Sequence, residues 1–166
     1  MDDLRYWVGF NLVRGIGPMR LRALLNFFDD DIAAAWKAPD HDLREAGLDS
    51  RSLQNLLKTR TTVDLDKILR AIDKVGAHVL TLKDPDYPRL LLELEDAPPV
   101  LFVKGTLEPA DEWAVAIVGT RKVTVYGRQV AHQIASDLAR AGATIVSGMA
   151  RGVDGIAHRA ALKAGG

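Results

Sequence analysis

The chain has 166 residues, enough for one domain or two small ones, and its 48% apolar and 6% aromatic content is that of an ordinary water-soluble protein. No stretch approaches the ~20 apolar residues of a membrane span, the acidic start MDDLRYW is unlike a signal peptide, and the absence of cysteine excludes disulfides and thiolate metal sites. A cytoplasmic location is the expectation. Basic and acidic residues balance to a net charge of zero, but residues 114–166 carry seven basic residues against two acidic ones, and residues 76–113 carry three against eight. The total argues against a polyanion as ligand, and the distribution argues for one.

Residues 3–14 read as a helix capped by Asp2 or Asp3, with Leu4, Trp7, Val8 and Leu12 on one stripe. Gly15-Ile16-Gly17-Pro18 interrupts it, and Leu21, Leu24, Leu25 and Phe28 resume the period, with proline in a tolerated first-turn position. Two readings are open for this hairpin. One is a helix-hairpin-helix, whose glycine turn at Gly15 and Gly17 lets backbone N–H groups approach a DNA phosphate; the other is an ordinary helical hairpin that packs a small domain. The run Asp29-Asp30-Asp31 lacks the alternating spacing of a cation loop and reads as the cap of a short helix carrying Ile32 and Trp36. A further short segment runs to Ala46, a helix starts at Ser50, and a last one spans 63–75 with Leu65, Ile68, Leu69 and Ile72 inward. Residues 1–75 are thus expected to form a helical domain, and 76–166 a second one.

The pattern changes at 77–82, a β-branched run that predicts a strand, and a second strand follows at 100–103. Between them Tyr87 precedes Pro88, where its ring can either stack on a base or pack against proline. Ala114 to Val118 is uniformly apolar, as a strand buried on both faces of a parallel sheet should be. It delivers Gly119-Thr120-Arg121 and then a helix with Val130, Ile134, Leu138 and Ala141 in period. Residues 143–146 repeat the plan, delivering Ser147-Gly148-Met149-Ala150-Arg151-Gly152 and a helix from Gly155 to Ala164 capped by Asp154. The crossovers are short, so the two strands should be parallel neighbours with both loops at one sheet edge, where such folds bind ligands. With the strands of 77–103, a four-stranded sheet with an open edge is expected.

The loops hold the parts of a phosphate site. Gly119 and Gly148 permit close backbone approach, Thr120 and Ser147 offer hydroxyls, helix starts offer N–H groups, and Arg121 offers a two-pronged cation with Lys122 and Arg151 near it. Neither a dinucleotide fingerprint nor a P-loop occurs, and no acid follows the second strand to take a ribose. Ser147, Asp154 and His158 lie close in sequence, but no nucleophile elbow surrounds the serine and no geometry joins it to the histidine. No catalytic residue, metal site or cofactor is expected.

The segments DPDYPRLLLELEDAPPVLFVKG, AIVGTRKVTVYG and IVSGMARGVDGIAH resemble the DNA-processing protein A (DprA/Smf) family, over residues 80–166, and the helical start is similar to that family's sterile-alpha-motif-like or helix-hairpin-helix domain. The resemblance implies an α/β fold: a small helical domain followed by the first part of an extended Rossmann-like parallel sheet, incomplete where the chain stops at Gly166. It also implies a non-enzymatic mediator of natural transformation that binds single-stranded DNA without sequence preference, loads the RecA recombinase and forms a homodimer, with no membrane contact. By position, the phosphate-holding motif falls on Gly119, Thr120 and Arg121 and the second loop on Ser147, Gly148, Gly152 and Asp154, the last as a brace. Two other functions stay open: a nucleotide-monophosphate hydrolase related to phosphoribohydrolases, which needs a catalytic glutamate and a P-G-G-type segment not seen before Gly166, and a protein-interaction module.

Overall fold

The computed structural model describes residues 3–166. Two compact units make up the chain, Met1–Thr106 and Leu107–Gly166. Both helix and strand occur, in the order α1 (Leu4–Leu12), α2 (Pro18–Phe27), α3 (Ile32–Lys37), α4 (Asp40–Glu45), α5 (Ser50–Thr62), α6 (Leu65–Lys74), β1 (Ala77–Thr81), α7 (Arg89–Leu92), β2 (Val100–Lys104), a 3-10 turn (Pro109–Glu112), β3 (Ala114–Ala116), α8 (Val125–Arg140), β4 (Thr144–Val146) and α9 (Val153–Ala164). Among the described residues no helix is long and apolar enough to cross a membrane.

Helix starts in the first unit follow side-chain capping: Asp31 accepts from the N–H groups of Ala33 and Ala34, Asp49 from Ser52 and Asp64 from Lys67. The expected cap at the first helix differs. Asp2 lies outside the described residues, and Asp3, in helical conformation, makes no side-chain cap bond. The buried stripe of α1 is Tyr6, Trp7, Val8 and Phe10, while Leu12 is exposed, because the ring of Trp36 meets Phe10 edge-on at 5.1 Å and draws that face inward. The Arg60 guanidinium donates to the carbonyls of Ala38 and Ala35, tying α5 to the end of α3. Helix α6 keeps its apolar residues half-buried, not inward in full.

One core runs through α1 to α5 and includes Val100 of β2, with Val79 of β1 packed against it. The expected boundary at 75/76 therefore falls inside the first unit: β1 and β2 pair antiparallel, Ala77 opposite Lys104 and Thr81 opposite Val100, and lie on the helical core. This also corrects the expected four-stranded sheet. The strands form two separate two-stranded sheets, β1 with β2 and β3 with β4.

The hairpin turn separates its two glycines. Gly15 has φ +97°, and a Cβ there would sit 2.7 Å from Ser52 Oγ, whereas a Cβ on Gly17 would meet nothing within 4 Å. Gly15→Ala is expected to lose about 2 kcal/mol of stability in a denaturant titration, from left-handed strain and the lost space. Gly17→Ala should unfold within about 0.5 kcal/mol of the parent.

In the second unit β3 and β4 are parallel, Ala114 beside Thr144 and Ala116 beside Val146, with the register continued by Ile117 N–H to Val146 O at 2.9 Å. Only one face is covered, by α8 and α9, which meet through Ala135, Ala157 and Ala160 over Ile117 and Ile145. Ala114, Ala116, Val118 and Val146 are exposed, so the strand read as buried on both faces is covered on one. Helix α8 buries Ala131, Ala135 and Ala139, while Ile134 is exposed, because small residues let the two helices approach closely.

Candidate nucleic-acid interface

The parallel register places the loop after β3 beside the loop after β4. Three contacts fasten them. Ser147 Oγ donates to Ile117 O at 2.6 Å, Val153 N–H donates to Thr120 O at 3.2 Å, and the Asp154 carboxylate accepts from Gly119 N–H at 3.2 Å and Gly148 N–H at 3.1 Å. Asp154 is not the cap of α9. It lies in the first turn, Gly152 is the residue before the helix, and the carboxylate is buried between the loops. The side chain was legible as a brace, and its two partners are the glycine N–H groups expected to be open to a phosphate.

Burial acts to raise the Asp154 carboxyl, but the N–H of Gly119, the Ser147 hydroxyl and the N–H groups of Ala150 and Gly148 outweigh it and hold the group below the ordinary carboxylate range. A carboxyl lowered on folding contributes stability that is fully present above its unfolded value of about 3.9, and that contribution is lost as pH falls through the lowered folded value. The second unit should therefore melt earlier as pH drops below about 4, and Asp154→Asn should flatten that pH dependence in melts recorded from pH 7 to pH 3.

Gly152 allows the loops to meet. Its φ is +94°, and a Cβ would lie 2.2 Å from Thr120 O and 2.7 Å from Arg121 Cα, both backbone atoms. Gly119 faces Val153 in the same way, a Cβ meeting the valine side chain at 2.8 Å. Thr120 Oγ1 accepts from Lys122 N–H at 3.1 Å and shapes the first loop. Thr124, a helix cap that the sequence reading did not name, accepts from Gly127 N–H and starts α8; a threonine three residues before a helical glycine is the signal that marks it.

What remains open is a recess of about 350 Å³ lined by Arg121, Lys122, Ala150 and Arg151. All three cations are exposed, and among the described residues none is paired with a carboxylate. The structure thus brings Arg121, Lys122 and Arg151 together on a frame made by Gly119, Ser147, Gly148, Gly152 and Asp154. Beside them Met149 is 83% exposed with φ +55°. The acidic 3-10 turn precedes β3, at the strand end opposite the recess, so the unit has a basic and an acidic end.

Other sequence candidates lie elsewhere. Tyr87 is 3% exposed and donates its hydroxyl to Pro98 O at 2.7 Å, which removes the ring from base stacking, and burial raises its phenol above the ordinary range. Tyr87→Phe should lose about 1 kcal/mol in a denaturant titration, the value of that hydrogen bond, and leave oligonucleotide affinity unchanged. Asp154 and Ser147 are both engaged in loop bracing, and no bond links either to His158. Among the described residues no group of three or more His, Asp or Glu stands where a metal could be held.

Comparison with known proteins locates the chain. The family model described as DNA recombination-mediator protein A matches residues 78–166. Protein Smf of Synechocystis sp. is 35% identical over 99% of this chain and 42% of its own length. The DNA processing protein DprA of Bacillus subtilis is 38% identical over 61% of this chain and 35% of its own length. Among solved structures, the X-ray structure of DNA processing protein A (DprA) from Streptococcus pneumoniae superposes with a TM-score of 0.72 at 26% identity, covering 98% of this chain and 55% of that one. The chain spans about half the length, or less, of these relatives. The recess and its braced loops, Gly119 to Lys122 and Ser147 to Gly152, lie wholly within the matched residues, and on that match the chain belongs to the DNA recombination-mediator protein A (DprA/Smf) family.

Proposed function

We propose that the recess between the two loops binds the backbone of single-stranded DNA without regard to sequence, and that in the whole protein this binding serves RecA loading during recombination and natural transformation. The observation that carries the reading is the set of three unpaired cations around one concavity, on loops whose Gly119 and Gly148 N–H groups are already taken by Asp154. Side-chain guanidinium and ammonium groups, not glycine N–H groups, then meet the phosphates: Arg121 and Arg151 as two-pronged donors, Lys122 as a point charge. Thr120, Gly119, Ser147, Gly148 and Gly152 act by holding those cations in place.

Phosphate contacts of this kind give affinity and salt dependence but no base readout. The β3–α8–β4–α9 order supports a Rossmann-like reading of the second unit, and the α1–α2 turn a helix-hairpin-helix or sterile-alpha-motif-like reading of the first. Homodimer formation belongs to the same proposal for the whole protein. A polarisation titration of two unrelated single strands and one duplex tests the binding itself. The two single strands should bind within about threefold of one another, both more weakly as salt rises. Failure to retain any oligonucleotide at low salt would refute the reading.

A further inference from the structure

A second basic concavity lies in the first unit, between the turn after α1 and the start of α5, with a volume of about 370 Å³. Its walls are set by a fixed network. The Arg20 guanidinium donates to Gly15 O and, at 3.0 Å, to Ser52 Oγ, and it pairs with the Asp49 carboxylate. Ser52, 2% exposed, also contacts Gly15 O, and Asn55 Nδ2 donates to Arg14 O at 2.8 Å. The one acid in the cleft is thereby neutralised by one arginine.

Two arginines are left over. Arg14 and Arg51 line the same cleft, are exposed, and have no acidic partner among the described residues. Asn55 holds the backbone that carries Arg14, and the Asp49 cap holds the turn of α5 that carries Arg51. A rigid floor with two free guanidinium groups suits one phosphate group, since each guanidinium presents a fork of donors that matches two phosphate oxygens. No apolar or aromatic side chain lines the cleft, so nothing in it would seat a base or a peptide side chain. That lining favours a backbone phosphate read without sequence over a phosphopeptide.

We propose that the Arg14/Arg51 cleft is a second phosphate-binding site, separate from the loop recess, that takes a backbone phosphate of a nucleic-acid strand. The ligand class rests on the reading of this chain as a nucleic-acid binder.

The test is a ¹⁵N-amide titration of the intact chain with a short oligothymidylate, repeated on an Arg14→Gln, Arg51→Gln variant. Both side chains are exposed and make no side-chain bond, so the variant should fold. Amides of 14–17, 19–20 and 50–55 should shift saturably with the oligonucleotide, and the variant should lose about tenfold in affinity at those amides while shifts at 119–122 and 148–152 persist. Shifts confined to the loop amides would overturn this inference and leave the loop reading standing. Shifts at neither place would overturn both. Inorganic phosphate or a phosphoserine peptide moving the cleft amides as strongly as the oligonucleotide, at equal phosphate concentration, would overturn the assignment to nucleic acid.

Discussion

Gly152→Ala is expected to weaken single-strand binding markedly and to destabilise the second unit by about 3 kcal/mol, the sum of left-handed strain in a residue with a Cβ and of overpacking. The atoms in the way are backbone, Thr120 O at 2.2 Å and Arg121 Cα at 2.7 Å, so no side chain can swing aside. Relief requires the two loops to part, which breaks the Val153 N–H to Thr120 O bond and carries Arg121 away from Arg151. For a unit of this size the melting transition should fall by roughly 10–20 °C. Gly165→Ala is the control, because Gly165 has a similar φ of +92° but open space around it. With ψ 15° against −131° at Gly152, it should show only the smaller strain of an ordinary left-handed residue, and keep its DNA affinity.

The second large effect concerns charge without fold. Replacing Arg121, Lys122 and Arg151 together by glutamine should leave the melting temperature nearly unchanged, since all three are exposed and unpaired among the described residues. Affinity for single strands should fall about a hundredfold at 0.1 M salt, from three lost contacts on a single strand. Circular dichroism confirms the fold, and a polarisation titration reads the loss.

Much of this site is legible in the residue order. A β-branched run, a small-residue turn and a glycine-punctuated helical period occur twice in succession, and that pattern places the loops of 119–122 and 147–152 at one edge. The pattern does not tell which groups at the edge are free. Gly119 and Gly148 look alike as phosphate cradles, yet the chain supplies its own anion, Asp154, to both N–H groups. A carboxylate at the start of a helix reads as a cap unless the partner loop is known to lie beside it. Gly152 likewise reads as a ligand glycine, and only the approach of Thr120 shows that it answers to packing.

Strand partners were less legible for a similar reason. A short run rich in β-branched and apolar residues, at 77–82 or 100–103, says strand and does not say with what. The two pair with each other because the short excursion through α7 returns the chain antiparallel, and Val100 then joins the helical core. In the second unit the apolar period through Val130, Ile134 and Leu138 marks the helix but not its contact: alanines 131, 135 and 139 are the buried residues, because small side chains allow α8 and α9 to close.

The central claim is that three cations held on braced loops meet DNA phosphates. The direct measurement is the dependence of single-strand affinity on salt, plotted as log K against log salt for the chain and for the Arg121, Lys122, Arg151 glutamine variant. Three phosphate contacts on a single strand predict that the variant's slope is shallower by about 2. Equal slopes in the two proteins would contradict the account.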